Sequence, residues 1–486
     1  MRAPLFALII ACASCGGAAR APAPPMPRLD GPVAARATPD DPFRAALPDP
    51  GSPGALAAPP IVERRLKNGV RVLFVERHDV PLLSVRVVSD RGADQADAGM
   101  PQFWERSVLR ACEAVKWWEV NEAWNDLGAE WSATALPDAS ILDVHVLSKL
   151  AEPAVELFGA LVVKPVFREK SIELARQRLR AQLVIDHARA DGQLELAMAR
   201  HFYPAGHLYR EPWAPLDVLD KIKPGHLEAY HRYAFTPAHV TIAVAGDITE
   251  AKLLPLLERA FGGLTGPTVG PQAPPPPPPA TPPDPRFFVI DMPDETQGHV
   301  VFAWLGPERY HDGFVSLAIA MGDIEDALFK KLRQEKSITY GVHADAPLGR
   351  GRRLITIRSS IDTARVGEAV KDVFAVLEAR AKTAPGEAEV TEMKAGAATD
   401  LVRFDRVDST AASLGLIATY GRPTDWFATA PARIAAVTGE TLRLAVERHL
   451  PLGGVRVFVA GDAKKIAPQL GALGLGTVEA RGPKGL

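Results

Sequence analysis

Twelve histidines are spread along a chain of 486 residues, and the most closely spaced group is His226, His231 and His239. His226 and His231 are five positions apart, which on a helix turns them about 140° from one another. They are poorly placed to share a metal, and surface or helix-end positions suit them better. No self-contained catalytic signature accompanies them: there is no Gly-x-Ser-x-Gly elbow, no glycine-rich phosphate loop ending in Lys-Ser/Thr, no pair of Cys-x-x-Cys zinc knuckles and no His-Glu-x-x-His. Of three cysteines, two lie in the first fifteen residues, so Cys112 stands alone, as a buried small hydrophobe rather than a nucleophile.

The elements that must position any site are those of a globular protein. Apolar residues make up 47% and charged residues 23%, and 56 Lys+Arg against 58 Asp+Glu gives a net charge of −2. The length allows two to four domains. Near-neutrality argues against nucleic acid as the main partner. The 44 prolines concentrate in two places, residues 21–60 and 267–285, which marks linkers. Residues 1–15 have the pattern of an export signal, with Arg2, the apolar run Leu5–Ile10 and then small residues before a cysteine. Ile9-Ile10-Ala11-Cys12 resembles a bacterial lipobox, with Cys15 as a second candidate for acylation, and the apolar run is too short to span a bilayer. Residues 16–58, rich in Ala and Pro, are expected to be a semi-extended tether.

Strands are expected at Val70–Val75, Leu82–Val88, Ile141–Leu147 and Val240–Asp247. Helices are expected at Pro101–Ala114, Asn121–Leu127, Pro153–Val163, Glu169–Arg189 and after Thr249. After the proline run at 267–285 the plan repeats, with strands at Phe287–Ile290, His299–Leu305, Leu354–Ser360 and Val455–Asp462 and an amphipathic helix at Val366–Ala379. The tetrapeptide Val-Ala-Gly-Asp occurs at 244–247 and again at 459–462, an offset of 215, and the strands near Val85 and Val301 are offset by 216. Two landmarks at nearly one spacing indicate a duplicated α+β domain, 59–266 and 286–480.

The duplicated halves, their closing Val-Ala-Gly-Asp strands and the proline linker resemble the insulinase/pitrilysin zinc metallopeptidases, in the two-domain form of bacterial and mitochondrial-processing-type subunits. That resemblance implies two tandem homologous domains, each a mostly antiparallel sheet packed with helices, forming half of a clamshell. It also implies an inverted zinc motif, His-x-x-Glu-His, on the first helix of the N-terminal domain, with a Glu from a later helix as third ligand. At the matching place, after Gly99-Met100-Pro101, the chain has Gln102-Phe103-Trp104-Glu105-Arg106. Glu105 holds the general-base position, but neither histidine is present. Glu173 falls where the third ligand would be. Arg106 places a permanent cation where a dication belongs, and it is expected to replace the metal by pairing with Glu105 or Glu173. No cofactor is expected in this chain.

The second half keeps a different part of the family pattern. In the resemblance, an Arg and a Tyr seven residues apart hydrogen-bond the substrate backbone and support the oxyanion, and Arg333 and Tyr340 match them. Ile338 and Val342 suggest that the helix carrying Arg333 gives way to a strand near Tyr340. A glycine-rich stretch common in the family before that Arg is here Met321-Gly322-Asp323-Ile324-Glu325-Asp326-Ala327, which suits the start of a helix, with carboxylates near the positive end of its dipole. The expectation is a non-catalytic subunit of a heterodimeric zinc peptidase. Zinc would sit in a homologous partner, and Arg333 and Tyr340 would act in trans on a peptide. The location would be periplasmic, with a lipid anchor at Cys12 or Cys15. The alternatives are a scaffold or peptide-binding module without a catalytic contribution and, remotely, a weak standalone hydrolase using Glu105 and Glu173.

Overall fold

A run of β-branched residues flanked by turns forms each central strand, and the strands assemble into two six-stranded sheets of the same plan. In the computed structural model the described residues are 58–482 except 93–98, 117, 208, 212–214, 267–285, 308–312, 348 and 402–403. The expected signal, nearly all of the tether and the proline linker lie outside them, and the described residues belong to one compact unit. The first sheet contains β1 (Val62–Arg65), β2 (Arg71–Glu76), β3 (Leu82–Ser89), β4 (Glu130–Ala135), β5 (Ser140–Leu147) and β6 (Val240–Gly246), in the order β1-β2-β6-β3-β5-β4. The second contains β7 (Phe287–Asp291), β8 (Gln297–Leu305), β9 (Thr339–Asp345), β10 (Leu354–Asp362), β11 (Arg456–Gly461) and β12 (Val478–Arg481), in the order β12-β7-β11-β8-β10-β9. The β2–β6, β7–β11 and β7–β12 pairs run parallel and the others antiparallel.

The pairing register makes the duplication exact to the residue. Val85 faces Val244 and Val144 in the first sheet, and Val300 faces Val459 and Ser359 in the second. Phe74 and Val289 pair with Val244 and Val459 in turn. All four correspondences carry an offset of 215, which corrects the 216 read from sequence. A short apolar run leaves its alignment free to slip by one residue, whereas hydrogen-bond register does not.

β6 and β11 are buried along their whole length, so both faces of each sheet are covered, which explains their unbroken apolar runs. One face is covered by helices of the same half. The other is covered by a helix from the opposite half. The Ala190–Phe202 helix lays Leu194, Met198 and Phe202 against Ile290, Val301 and Phe458 of the second sheet. Reciprocally, the Val407–Tyr420 helix packs Ala411, Leu414 and Ile417 on Leu73, Val75, Ala243 and Ala245 of the first. Gly415 permits the close approach, since a Cβ there would sit 2.8 Å from Arg86 Cδ. Polar contacts stitch the same seam: Tyr203 donates to the Arg352 carbonyl at 2.8 Å, and Arg77 to the Phe404 carbonyl at 2.7 Å.

The expected helix over Pro101–Ala114 is shorter, ending at Ser107, with Val108 extended and Leu109 at φ 59°. Val108, Leu109, Ala111 and Cys112 are all buried. On a continuing helix Leu109 would fall about 170° round the axis from the inward face of Phe103, Trp104 and Ser107, so leaving helical geometry lets it be buried too. Elsewhere the expected elements are present within a few residues of their stated bounds. Leu414→Ala should destabilise the protein by about 2–5 kcal/mol in urea unfolding, whereas Leu416→Ala, on the exposed side of the same helix, should change it by no more than about 0.5 kcal/mol.

Candidate functional site

The Met100–Ser107 helix is entered through Gly99 in the left-handed region, at φ 86°, with no side-chain cap. Its inward face carries Phe103 and Trp104, both fully buried. The Trp104 indole N–H donates to His231 Nδ1 at 3.1 Å, and His231 Nε2 donates to the Val162 carbonyl at 2.7 Å. The Phe235 ring stacks on both, 5.2 Å from Trp104 and 4.5 Å from His231. Burial pushes the His231 pKa down to about 4, only partly opposed by the Val162 hydrogen bond. His231 is thus a neutral core residue that anchors this helix. His226 accepts from the Lys223 N–H at the start of its own helix, at 3.3 Å. His239 lies between Asp90 and Arg91, at 2.9 and 3.0 Å. Among the described residues no group of three His, Cys, Asp or Glu side chains is arranged to hold a metal.

The outward residues of that helix occupy the zinc-motif positions. Glu105 Oε2 accepts the backbone N–H of Ala135 on β4 at 3.0 Å, and its Oε1 lies 3.8 Å from Arg106 Nε. The Arg106 side chain is 53% exposed. Glu173 is held within its own Glu169–Ala188 helix, accepting from Arg176 at 3.0 Å and from Gln177 at 3.2 Å. Of the two partners expected for Arg106, Glu105 is the one it meets, and only loosely. Glu173 meets Arg176 instead, because an i,i+3 pair is the nearer solution on one helix face. Arg176 also donates to the carbonyls of Leu219 and Ile222 and lies 5.1 Å over the Phe103 ring, fastening the two helices together. Zinc requires deprotonated donors converging on one point. Here both carboxylates are engaged elsewhere, no imidazole reaches the place, and a guanidinium faces it. The donor set does not fit the metal.

In the second half the Phe314–Leu328 helix widens into a π-helical turn over Phe329–Glu335, Ser337 takes φ 55°, and β9 begins at Thr339. This helix-to-strand change sets the Arg333 guanidinium 5.0 Å over the Tyr340 ring. Tyr340 is 80% exposed. The Met321–Ala327 stretch is not a helix start but the later half of the Phe314–Leu328 helix. Two of its three carboxylates are compensated by specific partners rather than by the dipole. Asp323 meets Arg380 at 2.7 Å, and Glu325 accepts the Ala344 N–H of β9 at 2.7 Å. Glu105 and Glu325, each on a helix, therefore do the same thing in the two halves, accepting a backbone N–H of the sheet's edge strand, β4 and β9 respectively.

Two further cations, Arg110 and Arg178, carry no motif. Arg110 lies 4.8 Å over the Trp131 ring of β4, and burial, then Arg178, then Arg106 push its pKa down. They come from separate elements, so no spacing in the sequence announces them.

His231 generates a pH prediction. Its folded pKa is below the ordinary value of 6.5, so between pH 6.5 and about 4 the unfolded chain binds more protons than the folded one. Stability should fall as pH drops through that window, by about 3 kcal/mol from this residue. Urea unfolding across pH should show a shallower acid limb in His231→Gln.

Residues 221–397 match the family model described as the peptidase M16 inactive domain. A protein of Mycobacterium bovis described as an uncharacterized zinc protease is 22% identical over 352 residues, spanning 70% of this chain and 78% of that protein. The crystal structure of a peptidase M16 inactive domain from Pseudomonas fluorescens superposes with a TM-score of 0.75 at 20% identity, covering 82% of this chain and 98% of that one. The periplasmic protease PqqL from Escherichia coli gives a TM-score of 0.69 at 16% identity over 85% of this chain and 46% of its own. Taken with the duplicated sheets, these likenesses give the chain the fold of the M16 peptidases, and its residues 221–397 match their inactive domain.

Proposed function

We propose that this chain is the non-catalytic subunit of a heterodimeric zinc peptidase, in which a homologous partner supplies the metal and this chain supplies Arg333 and Tyr340. The observation that carries the reading is the contrast between the two halves. The zinc-motif positions hold an amide, an engaged carboxylate and a cation, whereas Arg333 and Tyr340 lie together with the phenol open to solvent. A guanidinium and a phenol can donate to a substrate carbonyl and to the oxyanion that develops from it. Zinc in the partner would lower the pKa of its bound water and supply the nucleophile. This chain's contribution is to bind and orient the peptide and to stabilise negative charge.

The setting we propose is periplasmic. It is supported by the export-signal pattern of residues 1–15 and by the likeness to a periplasmic protease. No described helix is long and apolar enough to cross a membrane. Cys12 or Cys15 would carry the lipid anchor. A second reading, a scaffold that binds peptide or partner without aiding hydrolysis, is favoured by one observation: the Met321–Ala327 stretch is ordered helix rather than a glycine-rich loop. A standalone hydrolase built on Glu105 and Glu173 finds no support in a donor set whose carboxylates are both engaged.

Mixing the purified chain with a homologue bearing an intact His-x-x-Glu-His should produce peptidase activity that neither shows alone. Arg333→Ala and Tyr340→Phe should each lower kcat by about 10²-fold. Activity unchanged in both variants overturns the trans role, and a stable complex with no gain in hydrolysis selects the scaffold reading.

A further inference from the structure

The Glu169–Ala188 helix is apolar on two sides. Ile172, Leu179 and Leu183 face the core and are buried. On the other side Leu174, Val184 and Ile185 are 43%, 52% and 53% exposed, and Ala181 and Ala188 are exposed beside them. At about 100° per residue these five side chains fall within about 100° of one another round the helix axis, roughly opposite the buried set. Among the described residues no other helix exposes more than one large apolar side chain. A surface helix ordinarily turns one apolar stripe to the core and a polar face to water. A second contiguous stripe marks a surface that another element covers.

The spacing of the stripe indicates what kind of element that is. Leu174, Gln177, Ala181, Val184 and Ala188 recur at alternating intervals of three and four, the a and d rhythm by which one helix packs lengthwise on another. The stripe is about 21 Å long, two heptads at about 1.5 Å per residue. Alanines in its middle and at one end leave room for a second backbone to come close. The charges at its edge indicate what the covering helix carries. Arg178 and Arg189 lie along one edge, and both are exposed; among the described residues neither pairs with a carboxylate. Glu173, on the opposite edge, is already held by Arg176 and Gln177. A second copy of this chain therefore has no free acid on this face to set against the two arginines, whereas an acidic helix does. Charges at such flanking positions are what choose the partner of a helix pair.

We propose that the Leu174–Ala188 stripe docks an amphipathic helix of a second protein, one whose apolar seam is flanked by Asp or Glu. The seam lies over Ala181 and Ala188, and the acids stand beside Arg178 and Arg189. Docking here involves neither zinc nor Arg333 and Tyr340, so it stands or falls separately from the proposed role in peptide hydrolysis.

Two labelled helical peptides of three heptads each test the site by fluorescence anisotropy with the purified full chain. Both carry Leu at the a and d positions; one has Glu at e and g, the other Lys. The Glu peptide should bind at least about 10-fold more tightly than the Lys peptide, and added salt should narrow the gap. Val184→Glu with Ile185→Glu should weaken binding of the Glu peptide at least about 10-fold and leave thermal unfolding unchanged, because both side chains already stand in water. Arg178→Glu with Arg189→Glu should turn the preference toward the Lys peptide. Leu444→Glu, at an exposed apolar position on another helix, should leave binding as it is. Equal or absent binding of the two peptides overturns the proposal, as does a preference that survives the charge reversal. Self-association in light scattering that is lost in Val184→Glu with Ile185→Glu also overturns it, by giving the face to a second copy.

Discussion

The reciprocal exchange of helices between the two halves is the constraint from which the architecture follows. Each sheet has a fully buried central strand and therefore two apolar faces, but its own half supplies helices for only one. Ala190–Phe202 closes the second sheet and Val407–Tyr420 closes the first. Neither sheet is complete without the other half, so the halves are bound together as one folding unit rather than tethered as independent domains. This interlock also explains why the cavity beside the Met100–Ser107 helix has walls from both sheets. Residues separated by more than two hundred positions meet there because covering the sheets requires it.

Within that frame, the Met100–Ser107 helix, whose positions match the zinc motif of the M16 peptidases, is held in place as structure. Trp104 and His231 hold the helix against the core through a neutral imidazole. Glu105, instead of polarising a water, accepts a backbone N–H of the edge strand β4. Glu325 does the same for β9. The shared device suggests a common purpose: a carboxylate on the neighbouring helix satisfies an otherwise open donor on an edge strand, where unpaired groups invite unwanted pairing. The arginines beside these carboxylates face them in turn, Arg106 meeting Glu105 and Arg176 meeting Glu173. A permanent cation, Arg106, thus stands at a position where the M16 zinc motif has a histidine.

How much of this the sequence disclosed depends on how local the signal was. The central strands were legible because β-branched runs between turn residues have few other solutions, and the returning Val-Ala-Gly-Asp exposed the duplication. Arg333 and Tyr340 were legible through their family register, and Ile338 and Val342 signalled the strand that brings them together. β4 was not: Glu130-Trp131-Ser132-Ala133-Thr134-Ala135 alternates polar and apolar residues, but two of its three apolar residues are alanines, whose signal is weak, and it lies at a sheet edge. The break after Ser107 was hidden because Val108, Leu109, Ala111 and Cys112 match a helix in composition, and only the burial of Leu109, opposite the helix's inward face, shows otherwise. The helix exchange joins elements remote in sequence, for which no spacing rule exists. The Glu173–Arg176 pair was within reach, being an i,i+3 contact on one helix.

The central claim is that fixed cations, and not a metal, define the charge of this helix face. Diffraction at the zinc absorption edge, from crystals of the chain equilibrated with excess zinc, tests it most directly. The account predicts no anomalous peak within bonding distance of Gln102, Glu105 or Glu173, with Glu105 still joined to the Ala135 N–H. A peak coordinated by Glu105 and Glu173, with Arg106 swung away, would contradict it.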